Sequence, residues 1–545
     1  MRLLSGPREA DVVVVGGGPN GLVCANYLAA AGLEVALVEA AARLGGGLRT
    51  EELTLPLFKH QPHAFFIRWT PAYRLWTDLG LDATGVRMIR PDKQNALPSL
   101  EGRTLIVYAD LERTLDAIGS FDPADAARFA AFFEEARRLS RTVIEPLRFS
   151  PPLAPDEMED LLRRSADGRR FLTLAAPSAL DLVRELFRSE QLRALVLFAS
   201  ALRGYLPVLD VPGTGYVVAQ AVAGLVDCLL VEGGSYQLAQ ALAVRLYQRG
   251  GWALAGERVA RIAVEAGRAR GVALASGDFI AARRAVVSNI PAPLTLLGLV
   301  GREYLDRSLA GTLEAYPWNG EALVGVHLAL HEAPRFGDRD PEDGAGALNL
   351  CLGYETSQDV ERDLREVRAG ALPSAVALHA SVPTRFDPSQ APPGRHTAFG
   401  WQFVPSRPGG GDASFWTPAA CERQAAAMVA TWARYAPNVA AAELARAVHS
   451  PLHTQELLPS MWLGDRHHGT YHPDNSFGRR PCPELGGYRT PIDGLYLCGS
   501  SNHPGGSVNG LGGYNAAGVV AADLGLDLWW RPVHARDALS SLVNA

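Results

Sequence analysis

Hydrophobic and polar positions along the chain fall into blocks that alternate between strand-like and helix-like spacing. Residues 12–15 are a continuous apolar run ending in glycine, the pattern of a parallel strand buried on both faces. A helix-length segment from about residue 20 to 31 follows, then a second apolar strand at 35–38 that stops at Glu39. Residues 51–63 (EELTLPLFKHQPH) alternate as a strand and turn would, and residues 70–150 carry helical spacing, with Asp122 and Pro123 as a cap and first turn. The stretches 192–206 and 216–230 read as amphipathic or buried helices, more readily core than a face resting on a membrane. Residues 252–290 alternate as strands around turns at Gly267 and Gly277. GVHLAL at 325–330 and AVALHAS at 375–381 predict a second sheet, and the proline and glycine of VPSRPGGGDAS predict a loop. Near the end, LYLCG is a strand that runs through glycines into another helix.

The first block has the parts of a dinucleotide-binding βαβ unit in order. Gly16, Gly18 and Gly21, with Pro19 and Asn20 between them, supply the G-x-G-x-x-G spacing. The first glycine allows a tight turn, the second lets backbone approach a pyrophosphate, and the third lets helix pack on strand. Free N–H groups at the helix start then point at the phosphate. Glu39 follows Gly21 at close to the roughly 20-residue spacing of a ribose-binding acid. Its carboxylate would repel a 2′-phosphate, which disfavours NADP.

Composition narrows the class further. A chain of 545 residues with 48% hydrophobic content buries a large core and divides into about two to four domains or lobes. The net charge of −6 offers no basic field for nucleic acid. Six cysteines, at 24, 228, 351, 421, 482 and 498, form no C-x-x-C pair, so neither zinc nor a redox dithiol is expected, and a reducing compartment fits. His449 and His453 have i,i+4 spacing, but Pro451 between them argues against a helix-borne metal pair, and no metal is expected. The stretch MRLLSGPREA lacks an apolar h-region and no run of 18 apolar residues occurs. The expectation is a cytoplasmic protein, with peripheral membrane contact through Trp529 and Trp530 left open.

Arg43, Gly45, Gly46, Gly47, Arg49 and Thr50 resemble the R-x-G-G-x-x-x-T extension of FAD enzymes, which places FAD ahead of NAD. With GGYRTPIDGLYLCGSSNHPGGSVNGLGGYNAA at 486–517, and LRTEEL, PGTGY, VEGG and VVSN in order, the chain is similar to the phytoene desaturase and carotenoid isomerase superfamily of FAD-dependent oxidoreductases. It looks closest to the branch of pyridine nucleotide-disulfide oxidoreductase domain-containing proteins. The resemblance implies an α/β fold: a Rossmann-type, glutathione reductase-like FAD-binding domain with an interleaved α+β substrate-binding domain. The implied pieces are 9–69, 230–298 and 485–530 for the FAD domain and 70–229 and 299–484 for the other. By the same resemblance the cofactor contacts are Gly16, Gly18, Pro19, Asn20, Gly21, Glu39, Ala40, Arg43, Gly46, Gly47, Leu48, Arg49, Val259 (backbone to adenine), Gly499, Ser500, Ser507, Val508 and Asn509. Asn509 stands where many relatives carry a small residue, so its amide is a candidate to touch flavin or substrate.

No second nucleotide fingerprint occurs: GTG at 213–215 and GAG at 344–346 do not lie between strand and helix. That disfavours NAD(P)H as partner, and the missing dithiol excludes disulfide reduction. The expected reaction is desaturation of a hydrophobic small molecule, isoprenoids among the candidates, by hydride transfer to flavin N5, with oxygen or a quinone as acceptor. A redox-neutral isomerase, an amine oxidase or a non-catalytic escort protein are the alternatives on the same scaffold. Candidates for acid, base or contact are His63, His467, His468, Tyr471 and Asn509, with Trp462, Asp465 and Arg466 beside them. On a strand, adjacent His467 and His468 would point apart, so at most one is expected to face the flavin. The oligomeric state is left open.

Overall fold

A computed structural model of the chain describes residues 8–69, 73–337, 344–411 and 413–542. Residues 1–7 of the stretch read for a leader, residues 70–72 at the start of the expected helical segment, and position 412 of the expected loop lie outside the described residues.

The apolar runs that open the chain become the centre of the first sheet. Glu9–Val15 pairs in parallel with Val35–Glu39 on one side and Phe279–Ser288 on the other. Trp252–Ala255 and Leu495–Leu497 extend the parallel order at the two flanks. Val259–Glu265 and Arg268–Leu274 continue antiparallel from Phe279–Ser288. One sheet is therefore assembled from three distant parts of the sequence. Its central strands are buried on both faces: the helices Pro19–Ala30 and Leu511–Asp523 cover one side, and a core with Leu296, Leu309 and Leu313 covers the other.

Those two helices cross at backbone contact. A side chain on Gly513 would begin 2.0 Å from the carbonyl oxygen of Asn20, and one on Gly21 would begin 2.0 Å from that of Gly16. Only glycine permits either approach, and together they lock the nucleotide-binding turn to the C-terminal helix.

A second, mixed sheet has the order Glu443–His449, Glu321–Leu330, His396–Pro405, Leu378–Ser381, Asn349–Leu352, Lys93–Pro98, Thr104–Tyr108. Helices between Leu111 and Ala223 pack against it around a core that includes Phe129, Phe133, Phe187 and Leu195. Asp122 caps Pro123–Leu139 as its position suggests, accepting from the N–H of Ala124 at 2.7 Å.

Three expectations need correction. Residues 70–150 are not wholly helical, since they contain Lys93–Pro98 and Thr104–Tyr108. The first of these strands buries Gln94 and Asn95, whose amides bind backbone at Cys228 and Leu225, so polar residues interrupt the apolar alternation that would have marked it. The segment 51–63 forms only an isolated bridge, Glu51 to His60. The helix expected over 216–230 stops at Ala223, where Gly224 begins a turn. Among the described residues no helix is long and apolar enough to cross a membrane.

Candidate active site

A continuous cavity of about 790 Å³ runs from the first sheet's glycine turn to the face of the second sheet. That volume lies in the upper part of the range of small-molecule sites. Its two ends differ in chemistry.

The nucleotide end is built by Gly16, Gly18, Pro19, Asn20, Glu39, Ala40, Ala41, Gly46, Gly47, Arg258, Val259 and Ser500. Glu39 accepts the N–H of Gly17 at 2.7 Å through one oxygen and that of Ala41 at 2.8 Å through the other. The acid thus pins the turn while facing the cavity. Asn20 donates to Ser500 Oγ at 3.3 Å, but its Oδ1 is buried without a partner. A side chain on Gly18 would begin 2.9 Å from Asn289 Nδ2, so only a glycine leaves the groove between the turn and Asn289 open. An orphaned acceptor, a bare glycine groove, a helix N-terminus and a carboxylate at the second strand's end together fit a dinucleotide.

Beyond the cradle, the turn 507–510 meets two aromatic donors. Trp69 Nε1 donates to the carbonyl of Val508 at 2.8 Å and the Tyr73 hydroxyl to that of Asn509 at 2.6 Å. Sequence reasoning misses both aromatics, because their partners lie 439 and 436 residues further along the chain. Asn509 is occupied on both atoms: Nδ2 donates to the Gly506 carbonyl at 2.9 Å and Oδ1 accepts from Leu511 N–H at 2.8 Å. Its amide holds the helix start while the residue lines the cavity.

The far end is apolar, with Phe65, Phe66, Leu202, Leu225, Leu323 and Trp401, and carries the cations Arg68, Arg148, Arg203 and Arg466. His63 sits between the two ends. Its ring meets His449 edge to face at 4.9 Å, and its Nε2 is buried without a partner. Burial, reinforced by the neighbouring His449 and Arg49, holds its imidazole well below the usual range, so it is neutral.

His467 and His468 both line the cavity. They lie in a tight loop rather than a strand. Buried Asp465 accepts the backbone N–H groups of His467 at 2.8 Å, His468 at 3.0 Å and Gly469 at 2.7 Å, and that wrap holds both residues at the cavity wall. His468 takes a left-handed backbone, φ 55°, to do so. Burial pushes its imidazole down to about 4, with Asp465 opposing. His467 is also held well below the usual range, by burial and then by Arg466 and Arg480. Its Nε2 accepts from Arg466 at 2.8 Å, and Arg466 in turn pairs with Glu321 at 2.6 Å.

Residues 20–297 match the family described as flavin containing amine oxidoreductase. The chain belongs to this family. A limonene dehydrogenase subunit of Castellaniella defragrans is 30% identical over 543 residues, covering 97% of each chain. Pyridine nucleotide-disulfide oxidoreductase domain-containing protein 2 of Mus musculus is 28% identical, covering 95% of this chain and 94% of its own. A hydroxyneurosporene desaturase of Cereibacter sphaeroides is 28% identical over 94% of this chain and 98% of its own. Among solved structures, an oxidoreductase of Methanosarcina mazei aligns with a TM-score of 0.60 at 16% identity, over 94% of this chain and 99% of that one. Cyclohexylamine oxidase of Brevibacterium oxydans aligns at 0.56 and 19% identity, over 95% and 99%. These structures share the fold.

This flavin oxidoreductase uses FAD, and its α/β architecture is the FAD-binding one that the glycine pattern implies. Not every residue expected at the cofactor faces the cavity of the enzyme. Arg43 lies 5.8 Å over the Tyr236 ring, Arg49 pairs with Glu51 at 2.7 Å, and both line a separate shallow cleft with Lys59. Leu48 is core, and Gly21 serves the contact of helix on strand. Gly499 is pressed against backbone instead: a side chain there would begin 2.7 Å from the Asn289 carbonyl. Tyr471 is outside the cavity, stacked on Tyr205 with centroids 4.8 Å apart and capped by Arg480. Nearness in sequence groups these side chains with the site, but it does not fix the direction in which they point.

Proposed function

We propose that the enzyme dehydrogenates a hydrophobic small molecule at an unactivated C–H bond, introducing a double bond. The observation that carries this reading is the continuity of one cavity from the glycine cradle to a wall of Phe65, Phe66, Leu225 and Trp401. The full-length similarity to a limonene dehydrogenase subunit and a hydroxyneurosporene desaturase supports an apolar substrate. Bound FAD supplies the two-electron acceptor at N5, and oxygen or a quinone takes the electrons onward.

The chain's own residues do the rest. The aromatic wall orients the substrate and keeps water out. His63 Nε2, buried and unpartnered, accepts the second hydrogen as a proton. A base this weak suffices if hydride leaves first, because a C–H beside an electron-deficient carbon is strongly acidic. Amine oxidation is the weaker reading here, since an ammonium substrate would meet Arg68, Arg148 and Arg203 at the far wall.

The test is anaerobic mixing of the FAD-loaded enzyme with a panel of acyclic and monocyclic terpenes, with flavin bleaching followed by absorbance and products by mass spectrometry. Bleaching with a product two hydrogens lighter supports dehydrogenation. A product of unchanged mass would point to isomerisation, and bleaching only by amines would overturn the proposal.

A further inference from the structure

Three arginines enter the substrate end of the cavity without a carboxylate partner. Arg68, Arg148 and Arg203 line it, whereas the fourth, Arg466, is paired with Glu321. Among the described residues, none of the three makes an ion pair. Arg203 spends Nη2 on the carbonyl of Gln220 at 2.6 Å, and Arg68 spends Nη2 on that of Gly224 at 3.4 Å. The Nε of each is buried and has no partner.

Gly224 brings the two guanidinium groups together. A side chain there would begin 2.7 Å from Arg203 Nη2 and 2.9 Å from Arg68 Cζ. Burial, and then the charges of Arg68 and Arg148, hold Arg203 well below its ordinary range. Glu145 feels the charge of Arg148 but makes no ion pair with it. Like charges gathered in a low-dielectric wall are unfavourable until an anion neutralises them. Guanidinium groups match carboxylate and phosphate oxygens in both charge and geometry.

We propose that Arg68, Arg148 and Arg203 form an anion site that takes the carboxylate or phosphate end of a substrate whose remaining length is apolar. The inference rests on the dehydrogenase reading for its placing of the apolar part along Phe65, Phe66 and Leu202. It goes beyond that reading by giving the substrate a charged end and hence a fixed direction in the cavity.

The test titrates the FAD-loaded enzyme with dodecanoate and, separately, dodecanol, following the flavin spectrum and the heat of binding. Dodecanoate should bind at least tenfold more tightly, and more weakly as salt is raised. R203Q and R68Q should each weaken dodecanoate at least tenfold and leave dodecanol unchanged, while R203K keeps most of the preference. R148Q serves as a third probe if a more buried variant does not fold. Equal binding of the two chains, no binding of dodecanoate, or a loss shared equally by both would overturn the proposal. So would loss of FAD from folded R203Q and R68Q, which would assign the cluster to the cofactor's own phosphates. Terpenes that reduce the flavin without any preference for the anion would sink the site and leave the dehydrogenase reading. Selective dodecanoate binding to an enzyme that no C–H substrate reduces would do the reverse.

Discussion

The Asp465 carboxylate accepts the backbone N–H of His467 at 2.8 Å, and this bond anchors the loop that sets two neutral histidines at the cavity wall. The same carboxylate also takes the N–H of Asn319 at 2.9 Å, so one buried acid ties the loop to the segment leading into the second sheet. Its replacement by alanine would strand four donors, each costing roughly 1–3 kcal/mol if left unmet by water. We expect D465A to lower the thermal midpoint by several degrees and slow substrate reduction of the flavin at least tenfold, with FAD content unchanged. Loss of FAD with an unchanged reduction rate in the remaining holoenzyme would contradict this role.

Glu39 performs a different task at the other end. Two charge-assisted hydrogen bonds from Gly17 and Ala41 shape the cradle, each worth roughly 1.5–3 kcal/mol. E39A should therefore weaken FAD by about two orders of magnitude in reconstitution of the apoprotein, read by quenching of flavin fluorescence. E39Q, which keeps one acceptor oxygen, should fall between. An E39A protein that retains FAD through extensive dialysis would show that the turn stands without the acid.

His63 and Tyr471 are equal candidates by sequence, and the structure separates them. His63 lines the cavity with a free Nε2, whereas Tyr471 is locked in a stack with Tyr205 outside it. A general base contributes about 10²–10⁴ in rate. H63Q should lower the single-turnover rate of flavin reduction at least tenfold without a matching change in substrate affinity. Y471F should stay within twofold of the parent, and the opposite ordering would reverse the assignment.

The contrast shows which kinds of information the sequence carries. Gly16, Gly18, Gly21 and Glu39 are legible because each is required by backbone geometry or ribose chemistry at a fixed local spacing. Their placing needs only neighbours within one βαβ unit. Lys93–Pro98 is illegible because Gln94 and Asn95 hide the strand's period behind buried amide bonds. The arginine cluster is illegible for another reason: positions 68, 148 and 203 come together only when the helical layer folds over the second sheet. The same applies to Gly499, whose glycine is demanded by the Asn289 carbonyl of a distant strand, not by a ligand.

Gly513 makes the long-range packing testable. Because a side chain there would begin 2.0 Å from the Asn20 carbonyl, alanine forces the C-terminal helix off the nucleotide turn. Overpacking of a rigid contact costs about 1–3 kcal/mol, and here both partners are backbone. G513A should reduce the flavin-to-protein absorbance ratio below half that of the parent. By contrast G518A, on the same helix with no atom within 4 Å of the added group, should match the parent.

Acid sensitivity follows from the buried histidines. Burial pushes His60 and His379 down to about 3, and His449, His468 and His503 down to about 4. In the unfolded chain each would titrate near 6.5, so between about pH 6.5 and 4 the unfolded state binds more protons. Stability from these groups is complete above pH 6.5 and is lost as pH falls toward 4. Burial acts oppositely on Glu321 and Asp363, each raised to about 7. Their folded forms hold extra protons across much the same window, so they make the protein less stable as pH rises. Each tenfold change in a group's proton affinity on folding is worth about 1.4 kcal/mol, so five depressed histidines outweigh two raised carboxylates. The apparent midpoint of urea unfolding should therefore drop between pH 7 and pH 5, and H449Q should make that drop shallower. A midpoint that held steady or rose toward pH 5 would mean that the carboxylates dominate, or that the histidine cluster is hydrated in solution.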